Sequence, residues 1–385
     1  MLNFNFQNPT KILFGKGQIE NLKKEIPTGS KILITYGGGS IKKNGVLDQV
    51  KKALSEYETT EFSGIEPNPT YETLMKCVEQ IRNSNVDFIL AVGGGSVIDG
   101  TKFIAAAVGF DGEPWDIVKS FGSVIKSAIP FGTVLTLPAT GSEMNSGSVI
   151  TNRALNTKLP FSNPNVYPVF SVLDPETTFS LPKKQIANGI IDTFIHITEQ
   201  YLTFPVNSKV QDRFAEGLLL TLIEEGPKAL KDPNNYEVRA NLMWSAALAL
   251  NGLIGSGVPQ DWATHMIGHE ITAAHGVDHA QTLAIVLPSL LRIKSEEKKE
   301  KLLQFGKRVW GILDGSDDNI IDQTIQRTSD FFESLGVKTH LNDYGIKEQD
   351  ISNIIDQLTA HGMIALGEKK DITPKVANEI LTLSL

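Results

Sequence analysis

The sequence predicts an α/β domain over residues 1–181, a parallel sheet with flanking helices, followed by an all-α domain over residues 182–385. Three observations carry this expectation. In the first half, runs that are apolar throughout alternate with amphipathic helical stretches, as in a parallel sheet covered on both faces. From Lys183 onward the apolar spacing is almost wholly helical. The change of pattern falls at Leu181-Pro182, the expected hinge. A length of 385 residues suits two domains.

Taken in order, Lys11-Ile-Leu-Phe-Gly15 reads as a short strand. Lys31-Ile-Leu-Ile-Thr-Tyr36 is a β-rich run that stops at Gly37-Gly38-Gly39-Ser40. Residues 48–57 look helical, and Pro67-Asn-Pro-Thr70 caps a helix running to about Asn83. Residues 87–92 form a second buried strand, ending at Gly93-Gly94-Gly95-Ser96, with a helix from Val97 to about Val108. Residues 133–137 and 169–173 give two more strands. The second half reads as helices over 184–203, 208–230, 235–254, 259–274, 280–293, 296–312, 317–335, 347–360 and 374–384.

With 41% hydrophobic and 21% charged residues, the chain is ordinary globular material. A net charge of -8 and a pI near 5.5 argue against a nucleic-acid surface. The single cysteine, Cys77, forms no internal disulfide, sits in a helical pattern as a small core residue, and suits a reducing cytoplasm. The first residues, Met1-Leu-Asn-Phe-Asn-Phe-Gln, lack the basic and apolar regions of a signal peptide. The weakly polar run 242–258 contains Asn251 and three glycines, so a buried helix and turn is expected there rather than a membrane span.

Two stretches share one plan: a buried strand, then Gly-Gly-Gly-Ser, then a helix. Glycine lets backbone approach a ligand, and a helix N-terminus offers free N–H groups and a positive dipole end to phosphate. Neither stretch fits G-x-G-x-x-G or the P-loop. One such loop is equally well a tight strand-to-helix turn; two at neighbouring strand ends favour a dinucleotide. Thr140-Gly-Ser142-Glu-Met-Asn145, after a third strand, adds polar residues and backbone at the same edge. Ser40, followed by Ile41-Lys42-Lys43, stands where an acid would bind a ribose 2′-hydroxyl, which favours NADP over NAD unless the lysines are merely solvated.

Four of the seven histidines fall within residues 265–279, and none precedes His196. Asp192 and His196 are i and i+4 on a helix among Ile190, Ile191, Phe194, Ile195 and Ile197. A carboxylate and an imidazole in such surroundings need a partner, each other or a metal. His265 and His269 repeat the spacing, and His279 follows a Gly-Val-Asp turn at a helix start. Together Asp192, His196, His265 and His279 make an Asp/His₃ set suited to Zn²⁺ or Fe²⁺. His275, His340 and His361 read as ordinary core or surface histidines. With NADP, a metal there would act as a Lewis acid on a carbonyl or alkoxide oxygen. His269 is then a proton-relay candidate, with solvent or the cofactor ribose as alternatives.

Gly93-Gly-Gly-Ser-Val-Ile-Asp99, Thr140-Gly-Ser-Glu143, Asp192 with His196, and His265-x-x-x-His269 with His279 resemble the iron-containing (group III) alcohol dehydrogenases over essentially the whole chain. Tyr36 to Lys43, Glu66-Pro-Asn-Pro69 and Gly257 to His265 look like the NADPH-dependent aldehyde reductase and butanol dehydrogenase branch. The resemblance implies a dehydroquinate synthase-like two-domain architecture, usually a homodimer, and activity on short- to medium-chain aliphatic aldehydes and primary alcohols. It implies a metal on Asp192, His196, His265 and His279, a pyrophosphate at Gly94, Gly95 and Ser96, and a 2′-phosphate near Gly38 to Lys43. Asp99, Thr136, Leu137, Ser142 and Lys158 join the implied cofactor contacts.

Two other readings compete. A dehydroquinate synthase-like lyase would need cations for a phosphorylated, carboxylated substrate, but residues 186–200 and 250–285 contain no Lys or Arg. A non-catalytic NADP-binding protein would have no use for an intact ligand set.

Overall fold

The computed structural model describes residues 1–155 and 157–385. Among the described residues eight strands form: β1 Lys11–Phe14, β2 Lys31–Tyr36, β3 Glu58–Phe62, β4 Phe88–Gly94, β5 Phe131–Leu137, β6 Gly147–Asn152, β7 Thr157–Ser162 and β8 Phe170–Leu173. The helices among and after them are α1 Leu22–Glu25, α2 Ser40–Lys43, α3 Val46–Ala53, α4 Tyr71–Arg82, α5 Gly95–Ala107, α6 Trp115–Lys119, α7 Lys183–Tyr201 and α8 Lys209–Lys231. They continue as α9 Tyr236–Ala249, α10 Ala263–His275, α11 His279–Ile293, α12 Lys299–Arg308, α13 Asp317–Ser334, α14 Glu348–Ala360 and α15 Pro374–Leu383.

Six strands make one sheet in the order β1-β8-β5-β4-β2-β3, parallel at every pairing. Successive side chains on a strand face opposite ways, and both faces here are apolar. Leu33, Ile89 and Ala91 pack with Leu74, Val78 and Ile81 of α4 and Ile98 and Ile104 of α5. Ile32, Ile34, Leu90 and Val92 pack on the other face with Leu22 and with Leu47 and Val50 of α3. Cys77 is fully buried in the first of these layers.

The strand order also locates a crevice. From β2 the chain goes outward to β3, then returns to β4 on the other side and continues through β5 to β8. The direction of winding reverses between β2 and β4. Open parallel sheets bind ligands at the carboxyl ends of the strands flanking such a reversal. Those ends carry Gly37–Gly39 and Gly93–Gly95.

Several elements depart from the sequence expectation. The helix expected over 48–57 runs from Val46 to Ala53, and β3 follows it unannounced. Glu58-Thr-Thr-Glu-Phe62 is a mostly exposed edge strand with no apolar run to betray it. The antiparallel hairpin β6–β7 was likewise not expected. Thr70 holds the cap position of α4, but its hydroxyl donates to Glu66 Oε1 (2.7 Å) instead of capping the helix. Helix α9 stops at Ala249 rather than 254 because Gly252 (φ 91°) turns the chain.

Contacts divide the chain into two compact units. One comprises Gln7–Leu181 and Asn234–Ala247, the other Met1–Phe6, Pro182–Pro233 and Leu248–Leu385. Most of α9 therefore belongs with the sheet, anchored where the buried Arg239 donates to Thr178 Oγ1 (2.8 Å) and Thr178 O (2.7 Å). Among the described residues no helix is long and apolar enough to cross a membrane.

Candidate active site

The helical unit builds a candidate metal centre from three helices. Asp192 and His196 lie one turn apart on α7, His265 lies on the first turns of α10, and His279 is the first residue of α11. Asp192 Oδ1 is 3.7 Å from His265 Nε2, 3.7 Å from His279 Nε2 and 3.8 Å from His196 Nδ1. These separations are too long for hydrogen bonds. They match the spacing of about 3.4 Å between ligand atoms on a tetrahedron of bonds near 2.1 Å. Asp192 Oδ1 is buried and accepts no hydrogen bond. A buried anionic oxygen ringed by imidazole nitrogens at ligand spacing fits a divalent cation.

Candidate ligand atoms of Asp192, His265 and His279 all lie within 4.8 Å of one another. His196 adjoins that group rather than completing it: its Nε2 is 3.1 Å from His265 Nε2, and the two rings stack with centroids 4.6 Å apart. His269 is buried, with its ring centroid 5.0 Å from that of His279 and 6.2 Å from that of His265. His275 is exposed on the last turn of α10, and His361 pairs through Nδ1 with Glu270 (2.9 Å).

Sequence reasoning missed Glu199. Its carboxylate, 3% exposed, pairs with His265 Nδ1 and accepts the backbone N–H groups of Thr264 (2.7 Å) and His265 (3.3 Å). A carboxylate behind a ligating imidazole fixes its tautomer and leaves the far nitrogen free to bind metal. The signal was in the sequence: Asp192, His196 and Glu199 stand at i, i+4 and i+7, one stripe of one helix.

The charges of this cluster set its proton affinity. Burial would raise the Asp192 carboxyl, but the imidazoles of His196, His265 and His279 hold it far below the usual carboxylate range. Burial would also lower His265, but Glu199 and Asp192 outweigh it and lift its pKa to about 9. A metal arriving at neutral pH must therefore displace a proton from His265. Metal affinity should weaken about tenfold for each unit of pH below that pKa, one proton per ion. Competition titrations with a chromophoric chelator in one-unit steps of pH would measure this; an affinity independent of pH refutes it.

Trp262 is a second unforeseen feature. It precedes α10 in the left-handed region (φ 63°, ψ 3°), a conformation costing a bulky residue roughly 1–2 kcal/mol. Its neighbour is held from several sides. Asp261 N donates to Glu199 O (2.9 Å), Asp261 Oδ1 accepts from Ala263 N (3.0 Å), and Asp261 Oδ2 meets the buried Lys298 ammonium (2.8 Å). Lys298 also donates to Leu202 O (2.7 Å) and pairs with Glu368 (2.9 Å).

In the sheet unit, the expected cofactor residues gather at the carboxyl ends of the adjacent strands β2, β4 and β5. Gly37, Gly38 and Gly39 follow β2; Gly39 has φ 97°, which a side chain would resist. Gly94 ends β4, and Gly95 and Ser96 open α5 with their N–H groups at its positive end. A Cβ on Gly95 would lie 2.4 Å from Thr140 Oγ1, so the β5 loop packs directly on this turn. Thr136 and Leu137 end β5.

The side chains of Asp99, Ser142 and Asn145 are engaged within the protein, around a lysine the sequence did not single out. Lys102, fully buried, donates to Ser142 Oγ (2.7 Å), Asn145 Oδ1 (2.9 Å) and Gly147 O (2.7 Å). Ser142 Oγ in turn donates to Asp99 Oδ1 (2.5 Å), and Asp99 Oδ2 accepts from Val149 N (2.9 Å). These residues shape the loop. Lys158, on β7, donates to Asn68 Oδ1 (2.9 Å). Both lysines after Ser40 are exposed, and Lys42 lies 5.0 Å over the Tyr36 ring and 4.0 Å from Glu61.

A fold and a site of this kind define a class, and the chain belongs to the iron-containing alcohol dehydrogenase family. Residues 9–175 match the iron-containing alcohol dehydrogenases, and residues 186–382 match the C-terminal part of the Fe-containing alcohol dehydrogenase family. The chain is 60% identical over 382 residues to the NADPH-dependent aldehyde reductase YqhD of Escherichia coli K12, covering 99% of each chain. It is 43% identical to the probable NADH-dependent butanol dehydrogenase 1 of Bacillus subtilis, over 100% of both. The crystal structure of E. coli K-12 YqhD superposes with a TM-score of 0.98 at 58% identity, covering 100% of this chain and 99% of that one. The NADH-dependent butanol dehydrogenase A of Thermotoga maritima gives 0.95 at 36% identity, over 100% and 99%.

Proposed function

We propose that this protein is a metal- and NADP(H)-dependent alcohol dehydrogenase and aldehyde reductase, interconverting short- to medium-chain aliphatic aldehydes and primary alcohols by hydride transfer. The observation that carries the reading is Asp192 Oδ1, buried without a hydrogen bond and ringed by His196, His265 and His279. A divalent metal held there, Zn²⁺ or Fe²⁺, would supply Lewis acidity at the substrate oxygen while nicotinamide exchanges hydride with the carbon. Glu199 keeps His265 in the ligating tautomer. His269 is the proton relay in this reading, supported by its burial and its 5.0 Å ring separation from His279. The absence of Lys and Arg from residues 186–200 and 250–285 supports an uncharged substrate.

The cofactor lies, in this reading, across the β2–β4 reversal, with its pyrophosphate on Gly94, Gly95 and Ser96 at the start of α5. Choice between NADP and NAD rests on Ser40 and Lys43. The 60%-identical relative is named NADPH-dependent and the 43%-identical one NADH-dependent, so the family uses both. Glu61 is the nearby acid, and Lys51 and Tyr36 hold its carboxyl below the usual range. Lys51 and Lys42 offset its charge, leaving a 2′-phosphate without an opposing field. Ser40→Asp should lower the ratio of kcat/KM for NADPH to that for NADH by roughly tenfold or more, through like-charge repulsion. An unchanged ratio would remove Ser40 from the cofactor site.

The direct test is NADPH oxidation by the purified, Zn²⁺- or Fe²⁺-loaded protein with butanal and neighbouring aldehydes. Absence of turnover with both metals across the panel would reject the proposal.

A further inference from the structure

We propose that Trp262 determines which aldehydes this site accepts: its indole walls the side of the metal centre formed by His196 and His265 and limits the length and branching of the carbon chain. This rests on the reading of the site as an aldehyde reductase. Three observations carry it.

The first is position. The Trp262 ring stands edge-on to His265, with centroids 5.4 Å apart at 71°, and lies 6.1 Å from His196 at 60°. Both neighbours belong to the metal centre, and both are buried, whereas Trp262 is only half-buried. Trp262 thus keeps accessible surface while its ring stands beside the buried ligands.

The second is rigidity. Trp262 Nε1 donates to Gln260 Oε1 (2.8 Å), and Gln260 Nε2 donates to Gly255 O (3.3 Å). A Cβ on Gly255 would lie 2.6 Å from Gln260 Nε2, so the glycine makes room for the side chain that holds the indole. The clamp on Asp261 described above fixes the preceding residue. A bulky side chain in a left-handed conformation persists only where its surroundings over-determine it, and such strain gathers at functional sites.

The third is chemistry. An indole face offers dispersion and no countercharge, and the ligand-bearing stretches contain no Lys or Arg. A rigid apolar wall selects among aliphatic chains by size. Pockets of this kind discriminate by about tenfold or more per methylene.

The test compares the wild-type protein with Trp262→Ala and Trp262→Phe. Each is assayed with NADPH against propanal, butanal, hexanal and 2-methylpropanal, and its metal content is measured. Relative to butanal, kcat/KM for hexanal or 2-methylpropanal should rise about tenfold in Trp262→Ala and less in Trp262→Phe, at unchanged metal stoichiometry. A second readout does not depend on turnover: Co²⁺ added to the metal-stripped protein should quench tryptophan emission, and Trp262→Phe should lose most of that quench while binding Co²⁺ as before. Equal changes for all four aldehydes would overturn the proposal, as would loss of metal from Trp262→Phe, which would make Trp262 a support of the metal helix. If the alanine variant does not fold, the phenylalanine variant decides. A wild-type protein inactive on the whole panel would sink the aldehyde reductase reading; a quench unaffected by Trp262→Phe would sink the wall.

Discussion

Asp192→Asn is expected to empty the metal centre and to lower kcat/KM by a factor on the order of 10³ or more, the worth of several kcal/mol of Lewis acidity. The amide is nearly isosteric, so the packing of Ile190, Ile191 and Phe194 around α7 survives. What disappears is the one anionic oxygen facing three imidazoles. Glu199→Gln is the graded companion. It keeps all proposed ligands and removes only the charge behind His265 Nδ1, so metal affinity should fall by about 10–100-fold rather than vanish. Elemental analysis after dialysis against a weak chelator, with circular dichroism to show the fold intact, would rank wild type above Glu199→Gln above Asp192→Asn. Full metal content in Asp192→Asn would mean that the four residues are not a metal site.

How far this centre was readable from sequence depends on range. Residues that repeat along one helix were visible: Asp192 with His196, and His265 with His269. So were the glycine loops, because a buried strand ending in Gly-Gly-Gly-Ser is a local pattern. That the two glycine loops lie at neighbouring strand ends was expected; the full strand order, with its reversal between β2 and β4, was not legible. The edge strand β3 escaped because an exposed strand has no reason to be apolar. Glu199 lay on the legible Asp192–His196 stripe, but its role escaped because its partner, His265, lies 66 residues away and only the tertiary fold joins them. Trp262 reads in sequence as one more apolar residue inside the helix expected over 259–274, whereas the helix begins only at Ala263. Its left-handed backbone is imposed by Asp261, Lys298 and Glu368, residues spread over more than a hundred positions. Asp99, Ser142 and Asn145 were legible as members of motifs, but the network they form around Lys102, with Asp99 joined to it through Ser142, was not.

That buried lysine gives the second large prediction. Lys102 sits on α5 with two hydrogen bonds to the loop after β5 and one to Gly147 at the start of β6, and burial brings its pKa down to about 8 against the pull of Asp99 and Glu143. Burial pushes Glu143 up to about 7, so this interior tolerates little unpaired charge. Lys102→Met leaves Ser142 Oγ, Asn145 Oδ1 and Gly147 O facing an apolar chain and strips the buried Asp99 carboxylate of its nearby positive charge. Leaving a buried charge without its compensating cation costs roughly 3–5 kcal/mol, a fall of about 10 °C in Tm for a unit of this size. Lys102→Met/Asp99→Asn removes the stranded charge as well and should lose less than the sum of the two single changes. Function should follow the same geometry. The Thr140–Asn145 loop packs on Gly95, the proposed pyrophosphate turn, so its release should raise KM for NADPH more than it lowers kcat, with metal content unchanged. Thermal melts together with NADPH saturation curves separate the cases: a Tm shift without a change in KM would confine Lys102 to stability, and an unshifted Tm would show that the network does not hold the loop at all.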